Sequence, residues 1–204
     1  MDGCRGIGII CVTLSDLSIY LLCINVIIII IIIIIINIII MRYIGMINEM
    51  KGVPGVQPER LQEAYTVKHC ALSLVGEPIM YPHINELLHE LHRRDISSFL
   101  VTNAQFPECI QALHPVTQLY VSIDASTSDS LKAIDRPLFK DFWRRFLDSL
   151  QELKKKQQRT VYRMTLVKAW NMDEADGYAE LIESGQPGKK IRISVMIVIN
   201  ELIC

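Results

Sequence analysis

The stretch HCALSLVGEP, residues 69–78, decides how the middle of this chain is read. His69–Val75 is a short apolar run of the length of a buried strand, and Gly76-Glu77-Pro78 stops it. Pro82–Arg94 follows with Ile84, Leu87, Leu88 and Leu91 at helical spacing, which predicts an amphipathic helix. The alternation then repeats. Ser97–Asn103 reads as a strand and Pro107–Leu113 as a helix. Gln118–Asp124 reads as a strand, Ser128–Ile134 as a helix and Leu138–Gln158 as a long helix. Thr160–Val167 closes the series as a strand, followed by a helix over Asp173–Ser184. Upstream, the Gly/Pro-rich Lys51–Leu61 leads into a short helix, Pro58–Ala64. Strands alternating with helices predict an α/β fold of parallel, right-handed βα units. Four such units are too few to close an eight-stranded barrel and fit a partial barrel or a small open sheet.

Polar residues gather just past the strand ends. They are Glu77 after the first strand, Thr102-Asn103 at the second, Ser122 and Asp124 at the third, and Lys168 and Asn171 after the fourth. Parallel α/β proteins bind ligands at the C-terminal ends of their strands. Asp124 or Asn103 alone reads as a helix cap or turn residue. The set on one edge predicts a ligand-binding edge.

Composition changes abruptly near Gly45. Before it lies an unbroken run of isoleucines, Ile27–Ile36, inside an uncharged stretch from Ile19 to Met41. As a helix at ~1.5 Å per residue that stretch spans about 35 Å, more than a ~30 Å hydrocarbon core. Isoleucine contributes roughly −0.3 to −0.6 kcal/mol per residue to insertion, enough to outweigh Asn25 and Asn37. One reading is therefore a membrane anchor. The other is translated non-coding sequence, since the interruptions are Asn, Val and Met, residues one base away from an isoleucine codon. Residues 191–204, IRISVMIVINELIC, draw on the same small set. The expected organisation is a low-complexity poly-Ile segment over 1–45, a folded α/β unit over 46–187 and an unrelated tail over 188–204.

With 21 Lys and Arg against 22 Asp and Glu, the formal net charge is −1, so no global field draws the chain onto nucleic acid or acidic membranes. The basic pairs Arg93-Arg94 and Arg144-Arg145 read as solvated helix faces. The six cysteines, Cys4, Cys11, Cys23, Cys70, Cys109 and Cys204, show neither CxxC nor CxxxCxxC spacing. They form no disulfide framework and fit a reducing, cytoplasmic setting. A zinc site on His83, His89, Glu90 and His92 is the weaker reading of that helix: HExxH is absent, and HELHRR reads as a wet, charged face.

The blocks VKHCALSLVGEPIMYP, SSFLVTNAQFP, VTQLYVSIDAST, IDRPLFKDFW and TVYRMTLVKAWN resemble the tRNA 4-demethylwyosine synthases, the radical S-adenosylmethionine (SAM) enzymes of wybutosine biosynthesis. The resemblance runs from about Met46 to about Pro187. It implies a partial radical SAM (β/α) barrel of about four βα units, here preceded by the poly-Ile segment. It also implies SAM and a [4Fe–4S] cluster held by a CxxxCxxC loop. A further implication is FMN on an N-terminal flavodoxin-like domain. The implied reaction joins carbons of pyruvate to N1-methylguanosine in tRNA(Phe). By the same resemblance Gly76, Glu77 and Pro78 are the segment that binds the SAM amino group. Asn103 faces the methionine or ribose, and Ser122 and Asp124 line the ribose. Arg163 and Lys168 could hold a carboxylate or phosphate and receive no role.

The departure from the family is equally specific. CxxxCxxC is absent, and cluster ligation needs clustered thiolates. The chain as written is expected not to build the cluster and not to be active alone. The alternative is a membrane-tethered, non-catalytic binding fragment; no protein partner is identifiable.

Overall fold

The computed structural model describes residues 14–73, 76–156, 158–167, 174–184 and 191–198, with the side chains of 14–22, 167, 175, 184 and 191–198 excepted. It divides into two compact units, residues 1–56 and 57–204.

The first unit is dominated by one helix, α1 (Leu14–Glu49). Its isoleucines leave no polar face, and most stand about half exposed, Ile27 at 54% and Ile39 at 59%; Ile32 and Ile36 are buried. Within it Cys23–Glu49 is long and apolar enough to cross a membrane. Turns over Met50–Val56 end the unit, where Val53 N–H bonds the Met50 carbonyl and Val56 N–H that of Val53.

The second unit follows the alternation read from the sequence. Its elements are α2 (Pro58–Ala64), β1 (His69–Leu72), a 3₁₀ turn (Pro78–Met80), α3 (Ile84–Arg93), β2 (Ser97–Thr102) and α4 (Pro107–Ala112). They continue with β3 (Gln118–Ser122), α5 (Ser128–Asp135), α6 (Phe142–Lys155), β4 (Thr160–Val167), α7 (Ala175–Ser184) and β5 (Ile191–Val198). The five strands form one sheet in the order β1-β2-β3-β4-β5. Every neighbouring pair is parallel. This is the architecture of a partial (β/α) barrel.

Two expectations are corrected. Residues 191–198, expected in an unrelated tail, form β5 and pair along their whole length with β4, from Thr160↔Ile191 to Val167↔Val198. A β-branched, apolar run suits a strand of a parallel sheet, so low complexity was a poor guide there. The long helix begins at Phe142 rather than Leu138. Arg136 takes a left-handed conformation (φ 47°, ψ 58°) and ends α5. Pro137 follows and fixes its own φ, so the chain turns before α6 starts.

The core lies between the sheet and its helices. Leu100, Leu119, Val121 and Ile123 pack with Leu88 of α3, Ile110 of α4, Leu131 of α5 and Phe146, Leu150 and Leu153 of α6. Burial alternates along β2 and β3, as parallel strands with one helix-covered face require. The opposite face carries Phe99 and Tyr120, 6.4 Å apart, with His69 edge-on to Phe99 at 5.9 Å.

Candidate functional site

The C-terminal strand ends converge on two adjoining cavities. The first, of about 300 Å³, is lined by Gly76, Glu77, Pro78, Asn103, Ser122 and Arg163, together with Ser73, Val101 and Thr102. Five of the six residues predicted from the sequence thus line one cavity. The sixth, Asp124, lines the second cavity, of about 470 Å³, which shares Gly76, Glu77, Asn103 and Ser122 with the first.

Each group is placed by its local backbone. Gly76 sits at φ +68°, a conformation that favours glycine, and a Cβ there would meet open space. Glu77 begins the 3₁₀ turn, and its carboxylate reaches across to β2, where Oε2 accepts the Asn103 backbone N–H at 3.0 Å. Its Oε1 is buried and without a partner among the described residues. Burial pushes the Glu77 carboxyl above its ordinary range; the Asn103 amide and the Thr102 hydroxyl oppose the shift. Asn103 is steadied through Oδ1, which accepts the Gln105 N–H at 3.1 Å.

Ser122 and Arg163 are register partners on β3 and β4. The Arg163 guanidinium donates to Ser122 Oγ at 3.0 Å, while its Nε is buried and unpartnered among the described residues. Asp124 Oδ1 accepts the Thr165 N–H at 3.3 Å, and its carbonyl accepts the Tyr178 hydroxyl at 3.1 Å. The loop after it is anchored by Glu174, whose Oε2 accepts both N–H and Oγ–H of Ser126 at 2.9 and 2.7 Å. Helix α7 approaches that loop closely at Gly177, where a Cβ would lie 2.5 Å from Ser126 Oγ. Lys168 and Asn171 lie outside the described residues.

Sequence reasoning named Arg163 but assigned it no part, and missed the second cavity's Asp135, Arg136 and Phe139. The signal available was the IDRPLF stretch, in which a proline-turned loop carries charge and an aromatic ring together.

The zinc reading of α3 fails on its partners. Glu90 is not on a wet face: its side chain is 6% exposed and is held by Arg93 Nε at 2.8 Å and Arg94 Nε at 2.7 Å. His92 Nε2 pairs with Ser98 Oγ at 2.7 Å. Among the described residues no group of three or more His, Cys, Asp or Glu is placed to hold a metal ion.

The residues present fit SAM and not an iron–sulfur cluster. Two buried, unpartnered polar atoms of opposite charge type, Glu77 Oε1 and Arg163 Nε, belong to side chains lining one cavity. They complement the ammonium and carboxylate of an amino acid. Against a cluster stand the missing CxxxCxxC spacing and the state of the thiols. Burial pushes the thiols of Cys70 and Cys109 up, away from the thiolate a cluster needs.

The zebrafish (Danio rerio) S-adenosyl-L-methionine-dependent tRNA 4-demethylwyosine synthase TYW1 is 74% identical over 142 residues, which are 70% of this chain and 20% of that protein. The human TYW1 is 72% identical over 142 residues, 70% of this chain and 19% of that protein. The S-adenosyl-L-methionine-dependent tRNA 4-demethylwyosine synthase of Oryza sativa subsp. japonica is 70% identical over 142 residues, 70% of this chain and 22% of that protein. The chain spans about a fifth of the length of these relatives. A solved structure of TYW1 with a lysine-pyruvate adduct bound superposes with a TM-score of 0.64 at 32% identity, covering 81% of this chain and 51% of that one. The archaeal TYW1 crystal structure gives 0.57 at 35% identity, covering 72% and 48%. The profile of the radical SAM superfamily matches residues 56–182, from the approach to α2 to the last turns of α7. Strand order, the ligand-ready edge and this match agree: the chain belongs to the radical SAM superfamily.

Proposed function

We propose that this chain is the SAM-binding portion of a tRNA 4-demethylwyosine synthase. The observation that supports it most is the first cavity, where Glu77 and Arg163 bring opposite charges to one small space. Glu77, beside Gly76 and Pro78, takes the ammonium of the methionine part. Arg163, oriented by Ser122, takes its carboxylate. Asn103 holds the turn between them. Asp124, fixed through the Thr165 N–H and the Tyr178 hydroxyl, faces the ribose diol. Membership of the superfamily implies SAM and a [4Fe–4S] cluster, and SAM when bound supplies the superfamily's radical-generating group. The cluster has no fitting cysteines in these 204 residues, so this chain's own part is to bind and orient SAM. The substrates of the whole enzyme, in this reading, are tRNA(Phe) carrying N1-methylguanosine and pyruvate. FMN belongs to a flavodoxin-like domain of the whole enzyme, and the setting is cytoplasmic.

Equilibrium titration of the chain with SAM tests the reading. Glu77→Gln removes the negative charge but keeps the shape, and a charge-assisted hydrogen bond contributes about 1.5–3 kcal/mol. The expected result is a weakening of roughly tenfold to a hundredfold by the arithmetic of binding. SAM binding indifferent to both Glu77→Gln and Arg163→Met would end the assignment.

A second reading rests on α1. A helix apolar all round and mostly exposed is neither a surface helix nor a core helix of a soluble protein, and it suits lipid. In that reading the SAM-binding unit is tethered to a membrane. Flotation with vesicles and resistance to alkaline carbonate test it; a product that stays wholly soluble rules it out.

A further inference from the structure

Helix α7 and the residue before it grip the loop between β3 and α5. Glu174 Oε2 accepts the Ser126 N–H at 2.9 Å and the Ser126 Oγ–H at 2.7 Å. Gly177, in the first turn of α7, lies so close that a Cβ would stand 2.5 Å from Ser126 Oγ. The Tyr178 hydroxyl donates to the Asp124 carbonyl at 3.1 Å. Within the gripped loop Ile123, Ala125 and Ser126 are buried. Asp124 between them is half-buried and lines the second cavity.

We propose that Glu174 is a positioning residue: through Ser126 it holds Asp124 where the ribose diol of SAM is bound. The proposal rests on the reading of Asp124 as the group that faces that diol. A carboxylate that accepts both the N–H and the O–H of one residue fixes its backbone and its side chain together, and charge-assisted bonds are the strong ones. Burial works against the charge on Glu174, but hydrogen bonds from Ser126 and Ser130 outweigh it and hold the carboxyl below its ordinary range. Asp124 lies two residues before Ser126, and its Oδ1 accepts the Thr165 N–H of β4 at 3.3 Å. Its backbone is therefore set from α7 and its side chain from β4, before any ligand arrives. Ligand groups locked in this way bind with the least loss of freedom. Glycine at 177 belongs to the same device, because a side chain there would push the helix off Ser126. Packing alone does not require Glu174: α7 is seated in the core by Tyr178 and Leu181.

Two ligands read this device separately from the amino-acid end of the site: SAM and its 2′,3′-dideoxyribose analogue, which lacks the diol. Both are titrated against the full chain and against Glu174→Ala, Glu174→Gln, Gly177→Ala and Glu77→Gln. Circular dichroism and the midpoint of unfolding verify that each variant is folded. The ratio of the two dissociation constants measures how well the diol is held. A partly unfolded variant loses both ligands equally and leaves that ratio unchanged. Where Glu174→Ala fails to fold, Glu174→Gln and Gly177→Ala decide.

The parent chain is expected to prefer SAM over the analogue by about tenfold or more, the range of a hydrogen bond to a charged acceptor. Glu174→Ala and Gly177→Ala should each bring that preference toward unity while the analogue binds as before. Glu174→Gln keeps an acceptor without the charge and should recover part of the preference. Glu77→Gln should weaken both ligands equally and leave the preference intact. A preference unchanged by Glu174→Ala and Gly177→Ala overturns the positioning role and leaves the SAM assignment standing. Equal weakening of both ligands by Glu174→Ala places the residue in overall packing and likewise overturns the role. A preference that depends on Glu174 in a chain indifferent to Glu77→Gln upholds the role and overturns the assignment of the amino-acid end. A parent chain that shows no preference, or binds neither ligand, overturns Asp124 as the ribose-facing group and the positioning role with it.

Discussion

Helix α1 and helix α6 are both rich in apolar residues, yet they encode different amounts of structure. Over its 14 residues α6 buries Phe142, Phe146, Ser149, Leu150 and Leu153, all on one stripe at 3.6-residue spacing. Arg144 and Gln151 stand exposed on the other side, and Arg144 meets Asp148 one turn on at 3.6 Å. Over its 36 residues α1 writes no such stripe into its sequence, because isoleucine occupies every direction around the axis, although Ile32 and Ile36, four residues apart, are buried. Pattern rather than apolar content specifies which face of a helix meets a core. Helix α6 has one packing solution in its unit; α1 has none written into it and suits any apolar surroundings equally.

The comparison breaks first at the core. Phe146 is 1% exposed and stacks on Trp143 at 5.6 Å between ring centroids. Phe146→Ala should destabilise the second unit by about 3–5 kcal/mol in chemical denaturation. Ile31→Ala in α1, at an exposed position, should leave the same transition within about 0.5 kcal/mol. Equal effects would mean that α1 is as specifically packed as α6.

A charge in the middle of α1 sharpens the contrast in lipid. Ile30→Arg replaces a favourable residue by one that costs about 2.5–3.5 kcal/mol at a span's centre, a net change of about 3–4 kcal/mol. Flotation of the full chain with vesicles should fall steeply. The corresponding change on the wet side of α6, at exposed Gln151, is Gln151→Arg and should leave flotation unaltered. If Ile30→Arg floats as the parent does, α1 is not held in the hydrocarbon.

Next comes Glu90, the one acidic residue of α3 that the helix buries. The hydrogen bonds from Arg93 hold its carboxyl down at about 2, aided by Arg94, against an ordinary 4.5. Its folded value is depressed, so its contribution to stability is complete above about pH 4.5 and is lost as the pH falls toward 2. Glu90→Gln should cost about 1.5–3 kcal/mol at pH 7, the range for hydrogen bonds to charged groups. The difference from the parent should vanish near pH 2. A difference that persists unchanged at pH 2 would place Glu90's contribution in packing rather than charge.

How far the fold was legible follows from the same contrast. Strand Thr160–Val167 and helix Pro58–Ala64 were readable to the residue, because β-branched alternation and a Pro-started turn are local signals. Strand β5 was not, since its apolar run gains meaning only from pairing with β4, a partner distant in sequence. At the site, Gly76, Glu77, Asn103 and Ser122 were findable as polar residues at strand ends. The contact that makes Arg163 informative was not. Its pairing with Ser122 joins residues 41 apart and exists only through the β3–β4 register. The second cavity was hidden for a related reason: the sequence separates a helix over Ser128–Ile134 from a long helix read from Leu138, but the left-handed turn at Arg136 and the later start of α6 at Phe142 leave no trace in periodicity.

The smallest expected effect concerns Asp135, at the end of α5. Partial desolvation by the surrounding protein, although the residue is exposed, and then the charge of Asp124 push its carboxyl up to about 6 from 3.8. Here the folded value is raised, so the folded chain binds a proton more tightly than the unfolded one between those two values. Stability therefore falls as the pH rises from about 3.8 to 6, and the full penalty stands at pH 7. Asp135→Asn keeps the shape and removes the charge, so it should stabilise the second unit above pH 6. The side chain borders an open cavity, where solvent screens charge, which limits the gain to about 1 kcal/mol or less. Below pH 3.8 parent and variant should unfold alike. A variant less stable than the parent at pH 7 would mean that the charged carboxylate is held by a partner in the free protein. The cavity would then be satisfied without a ligand, and the contrast between a prebuilt site around Asp135 and the featureless surface of α1 would narrow.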